Sequence, residues 1–154
     1  MQKLLTSELF DAFETTEGSL TTFASFHVDG AFRSEYFDSS SEETLSDHVH
    51  TPWKLLRPFF YELIRGKYPP LKFRLIFRYP DHLMKDLPFL SSTLDIPLSY
   101  EDVNGLYLTI TYEQKKVRLI TGCSLKVFTL DKKAEHGWDD YICSLLRRIQ
   151  IPFS

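Results

Sequence analysis

Residues 121–140, TGCSLKVFTLDKKAEHGWDD, gather a cysteine, three lysines, a histidine and three aspartates. Lys126, Lys132, Lys133 and His136 fall around the expected start of a helix, where free backbone N–H groups attract negative charge. Such a cluster could serve a small enzyme acting on an anionic or phosphorylated substrate. Lys132 and Lys133 also break a local rule, because the macrodipole disfavours cations in a first turn by about 0.3–1 kcal/mol each. Rule violations of this kind are expected at functional sites. Asp131, at the cap position, competes as an internal anion.

His136 and Asp140 stand four apart, as an acid–base pair on a helix would. At about 100° per residue, however, they share a face with Arg147, with Cys143 close by, opposite the stripe of Ala134, Trp138, Ile142, Leu145 and Ile149. That face points at water, and general acid–base chemistry needs a pocket and a reacting partner. A solvated pair worth a few tenths of a kcal/mol is the plainer reading. His48 and His50, two apart, have a metal-compatible spacing but neither a cysteine nor a third ligand nearby. The chain carries no phosphate-binding glycine loop, paired CxxC, HExxH, GxSxG elbow or internal repeat. No catalytic residue, metal or cofactor is expected.

A second charged group is better defined. In LKFRLIFRY, residues 71–79, Leu71, Phe73, Leu75, Phe77 and Tyr79 alternate with Lys72, Arg74, Ile76 and Arg78. Burying the five apolar residues contributes roughly 8–15 kcal/mol as an upper bound, while surface ion pairs add about 0–1 each. The fold therefore does not require Lys72, Arg74 and Arg78 to be basic. With Arg118 and Tyr107 on the same sheet face, they would form a surface for an acidic protein segment or single-stranded nucleic acid. Charge along the chain is split in the same sense: residues 6–50 hold ten acids and one base (Arg33), and residues 54–78 hold seven bases and one acid (Glu62). Internal neutralisation by those acids is the competing reading.

The elements that must position these groups are legible in part. KLLTSELFDAF has near-helical spacing. Asp29-Gly30, between LTTFASFHV and AFRSEYF, predicts a hairpin with Phe23, His27, Phe32 and Tyr36 on one face. DSSSEETLSDHVHT, 38–51, reads as a mobile acidic and serine-rich loop. Pro58 predicts a break between a turn at 52–56 and a helix at 58–65 stopped by Gly66. Residues 81–87 read as a short helix, and SYEDVNG as one capped turn with Gly105 as its stop. LYLTITY and VRLITG predict a second hairpin that pairs Tyr112 with Val117, Ile110 with Leu119 and Thr111 with Arg118. SLKVFTL reads as a strand and 132–149 as an amphipathic helix.

The chain has 154 residues, a net charge of −3 and 15% aromatic residues, with Phe at 13 positions and Tyr at 8. A domain this long buries about 68–70% of its unfolded surface, enough for a ring-rich core. Two cysteines, Cys123 and Cys143, and no secretory segment at the start lead to an expectation of reduced thiols in a cytoplasm. No stretch approaches the roughly 20 apolar residues of a membrane span, so no membrane partner is expected.

TTFASFHVDG, WKLLRPFFYELIRGKYPPLKF, GLYLTITYE and TGCSLKVFTLDKKAEHGWDD together resemble a family of small bacterial proteins, catalogued as a domain of unknown function, from anaerobic Gram-positive bacteria. The resemblance runs end to end. It implies a free-standing cytoplasmic domain and carries no activity, cofactor or catalytic residue.

The expectation is one α+β domain over 1–154. Its largely antiparallel sheet of two hairpins plus the strand at 71–79 would be packed by helices near 58–65 and 132–149. The expected function is a non-catalytic binding or adaptor module that uses the basic sheet face or the aromatic hairpin.

Overall fold

The computed structural model describes residues 1–37, 48–90, 100–128 and 132–154. Alternation in the middle of the chain produces the central strand β4 (Lys72–Arg78), and the sheet is built outward from it. β1 (Glu14–Thr21) and β5 (Val103–Glu113) flank β4, with β2 (Ser25–Val28) outside β1 and β6 (Lys116–Leu125) outside β5. The two-residue β3 (Thr51–Pro52) pairs with β1 beside Glu14 and Thr15, and every pairing is antiparallel. The helices are α1 (Gln2–Thr6), α2 (Trp53–Ile64) and α3 (Lys133–Arg148). The result is the expected α+β domain, two hairpins on either side of a central strand.

One sheet face carries the core. Phe73, Leu75 and Phe77 of β4 and Tyr79 just beyond it are buried, with Leu106, Leu108 and Ile110 from β5. Leu71 was expected to join them but is 69% exposed, because β4 begins one residue later. The four remaining side chains contribute about 6–12 kcal/mol as an upper bound. Trp53 and Phe60 of α2 and Trp138 of α3 close over this layer. Trp53 lies 5.1 Å from Phe77, and Trp138 stacks on Tyr141 at 5.6 Å, centroid to centroid. The Trp138 indole N–H donates to the Tyr107 carbonyl at 2.8 Å, which satisfies its polar edge and ties α3 to β5.

Four further sequence expectations are corrected. The first hairpin does not turn at Asp29-Gly30: β1 and β2 turn at residues 22–24, so Leu20 faces Phe26 and Ser19 faces His27. Gly30, at φ +72, instead lies against the carbonyls of Thr15 and Thr16, where any Cβ would meet backbone at 2.3 Å. The aromatic residues consequently do not share a face. Phe23 lies in the turn itself, 95% exposed, and Tyr36 sits in a 3-10 turn at Ser34–Tyr36. Second, Pro58 lies inside a continuous twelve-residue α2, at an exposed position. Third, Tyr100–Asp102 form a 3-10 turn, but Gly105 belongs to β5 rather than ending a helix. Fourth, VRLITG and the start of SLKVFTL form one strand, β6. Residues 38–47 of the acidic segment, Ser99 and Asp131 lie outside the described residues.

Candidate binding face

The second sheet face, turned away from the helices, is where the sequence-predicted basic residues fall. Directly opposed residues in antiparallel strands point the same way, so the register can be followed across five strands. One row reads Ser25, Thr21, Lys72, Glu113, Lys116. The next reads His27, Ser19, Arg74, Thr111, Arg118. A third reads Glu17, Ile76, Thr109, Ile120, and a fourth Glu14, Arg78, Tyr107, Gly122. Lys72, Arg74 and Arg118 are exposed.

The second row has the clearest chemistry. Arg74 and Arg118 stand two strands apart, about 9–10 Å between Cα atoms, with the Thr111 hydroxyl between them. Both guanidinium groups can converge on one carboxylate above it, bidentate and without a competing acid in their own row. Among the described residues neither arginine forms an ion pair. In the first row Glu113 separates Lys72 from Lys116, so part of that charge is offset locally.

Arg78 and Tyr107 differ in kind. The Arg78 side chain is 11% exposed, and its Nη2 donates to Asp81 Oδ1 and to the Asn104 carbonyl, each at 2.7 Å. Burial works against its charge, but the bonds to Asp81 and Tyr107 outweigh that and raise its pKa. The Tyr107 ring is laid over Gly105, where a Cβ would sit 2.7 Å from it. Tyr107 is therefore not an upright ring on which a base could stack.

Internal neutralisation acts on other members of the basic stretch. Arg57 binds Asp11 through two nitrogens, at 2.8 and 2.9 Å, and this bond raises the pKa of the guanidinium. Arg65 pairs with Glu62 and Arg78 with Asp81. Pairing thus removes three of the seven bases at 54–78 and leaves Lys72 and Arg74 on the open face.

The alternative cluster meets carboxylates. Lys132 caps α3 with its ammonium 3.4 Å from Glu135. Lys126 is exposed, its backbone N–H given to Asp102, and His136 lies exposed on α3. The neighbouring depression, about 340 Å³, is lined by Thr121, Gly122, Cys123, Glu135 and Asp139. It offers two carboxylates where an anion needs donors. Burial, and secondarily Glu135, pushes the Cys123 thiol up, away from the thiolate a nucleophile requires.

Sequence reasoning missed a buried pair. His48 Nδ1 lies 2.9 Å from Glu14 Oε1, with Glu14 only 1% exposed, and the His82 ring is 5.4 Å from that of His48. Glu14 Oε2 has no hydrogen-bond partner among the described residues. His50 goes elsewhere, its backbone bridging Ala31. Among the described residues no three His, Cys, Asp or Glu side chains are grouped to hold a metal. The pair spans 34 positions, and only the pairing of β3 with β1 brings it together.

Among the described residues no helix is long and apolar enough to cross a membrane. No curated protein and no solved structure matches the chain. The model of a family of unknown function, DUF5721, matches residues 3–154, and the chain belongs to that family.

Proposed function

We propose that the chain is a non-catalytic binding module of the bacterial cytoplasm whose docking surface is the open sheet face and whose partner is an acidic protein segment. The row of Arg74, Thr111 and Arg118 carries this reading, because it presents two exposed cations around a hydroxyl with no acid in the row. A protein segment suits the face better than single-stranded nucleic acid, whose binding leans on upright aromatic platforms. Two free cysteines fit a reducing compartment. The enzyme alternative around Lys126, Lys132, Lys133 and His136 gains no support from the carboxylates gathered there.

The test is titration of the protein with polyglutamate and, separately, with oligothymidylate. Arg74→Glu with Arg118→Glu should weaken polyglutamate binding about tenfold or more, since reversed charges set like against like, with the circular dichroism spectrum unchanged. Binding should also fall with added salt. Affinity unchanged in the double variant, or independent of salt, would refute the proposal. Preferential oligothymidylate binding with a log–log salt slope of roughly −2 to −3 would transfer the face to nucleic acid.

A further inference from the structure

Among the described residues, one long edge of the sheet has no partner strand. β6 pairs with β5 on one side only, and its ten residues exceed the usual five or six. At the opposite side of the sheet, β2 has four residues and β3 two. No backbone hydrogen bond from another described segment reaches the outer side of β6. Such an edge is a row of unpaired N–H and C=O groups able to template another strand. Proline, which would block it, is absent from β6.

The side chains flanking the edge differ by face. Lys116, Arg118 and Ile120 point to the open face, and Ile120 is 53% exposed. Val117, Leu119 and Thr121 point to the helix side, forming one wall of a groove of about 870 Å³ whose other wall includes Ile142, Leu146 and Phe153. That volume lies within the range of about 300–1,000 Å³ typical of ligand sites. Lys3 stands at its rim, while Asp139, the acid on the far wall, is occupied by the Thr121 hydroxyl.

We infer that the acidic partner docks as an additional strand on β6. Its alternate carboxylates lie over Lys116 and Arg118, and the intervening apolar side chains enter the groove. This rests on the reading of the open face as the docking surface and specifies the mode of engagement. Backbone pairing supplies affinity, and the two flanking surfaces select a segment alternating acidic with apolar residues. A second copy added in parallel register would set Lys116 against Lys116 and Arg118 against Arg118, and like charges oppose that arrangement.

The probe is a peptide of roughly eight residues alternating glutamate and valine, with a counterpart N-methylated on the residues whose N–H groups would face β6. Binding is read by fluorescence anisotropy, and β6 amides are followed by hydrogen exchange. The unmodified peptide should protect the β6 amides that point away from β5. N-methylation, and separately Arg118→Glu, should each weaken binding about tenfold or more. Equal affinity of the N-methylated peptide, or binding without β6 protection, overturns strand addition, while sensitivity to Arg74→Glu would leave the open-face reading standing. Absence of any binding overturns both. A concentration-dependent dimer that protects the same amides without peptide overturns the inference too, since the edge would then serve a second copy.

Discussion

Replacing Gly137 with alanine sets two effects of known size against each other. Gly137 lies within α3, where alanine is favoured over glycine by about 0.8–1 kcal/mol. A helix free on that side would therefore be stabilised. In the structure, a Cβ at 137 would meet Phe89 at 2.4 Å from Cγ and 2.6 Å from Cβ. Ordinary carbon contacts lie near 3.5–4.0 Å, so the two must separate by about 1 Å. The Phe89 Cβ is fixed to its backbone in the 3-10 turn Pro88–Leu90, whose Leu90 is fully buried, so the turn itself must shift. Overpacking of this kind costs about 1–3 kcal/mol and outweighs the propensity gain in most of that range. Gly137→Ala is expected to lower the urea midpoint with an unchanged m value, for a net loss of up to about 2 kcal/mol. Phe89→Ala in the same chain should restore the gain, so the two changes should be non-additive in the favourable direction. A Gly137→Ala variant more stable than the parent by about 1 kcal/mol would mean that α3 does not pack on Pro88–Leu90.

Pro58→Ala should stabilise the protein by about 2–2.6 kcal/mol. The recovered hydrogen bond to the Lys54 carbonyl and the lost ring clash, about 3 kcal/mol, exceed the 0.4–1 kcal/mol by which proline restricts the unfolded chain; a lower thermal midpoint would contradict this. His48→Ala should cost about 1–3 kcal/mol by stripping the buried Glu14 carboxyl of its partner, and a denaturation midpoint equal to the parent's would show the pair to be structurally idle. Burial, and then Tyr141, holds the Tyr79 phenol above its ordinary value of 10.0. The raised folded-state value means that this contribution is complete below about pH 10 and is lost as pH rises beyond it. Tyr79→Phe should therefore flatten the fall in urea midpoint above about pH 10, and an unchanged slope there would exclude Tyr79 as its source.

Three elements were legible because their signals are local. Alternation across 71–79 set β4, the run from Ala134 to Leu145 set α3, and the two flanks of Glu113–Lys116 set the pairing of β5 with β6, down to Thr111 opposite Arg118. The turn joining those strands holds Gln114 and Lys115 at φ 52 and 62 without glycine or asparagine, so strand complementarity rather than turn chemistry imposed it. Asp29-Gly30 misled for the converse reason. Glycine supplied a positive φ, but the structure uses it to pass the chain close to β1. Pro58 misled because packing of Trp53, Phe60 and Ile64 outweighs one missing hydrogen bond.

By itself the sequence determined which side chains of each strand share a face, since a pleat repeats every two residues wherever the strand ends up. It also determined that the basic residues of β4 were surplus to the core. Tertiary structure decided which cations stay available: Arg57 is taken by Asp11 across 46 positions and Arg78 by Asp81 and the Asn104 carbonyl, whereas Arg74 is aligned with Arg118 through β5. The Glu14–His48 pair, the free edge of β6 and the groove beside it belong to the same category. Each depends on segments distant in the chain meeting at a particular register, and the energy that brings them together comes from apolar contacts elsewhere in the fold.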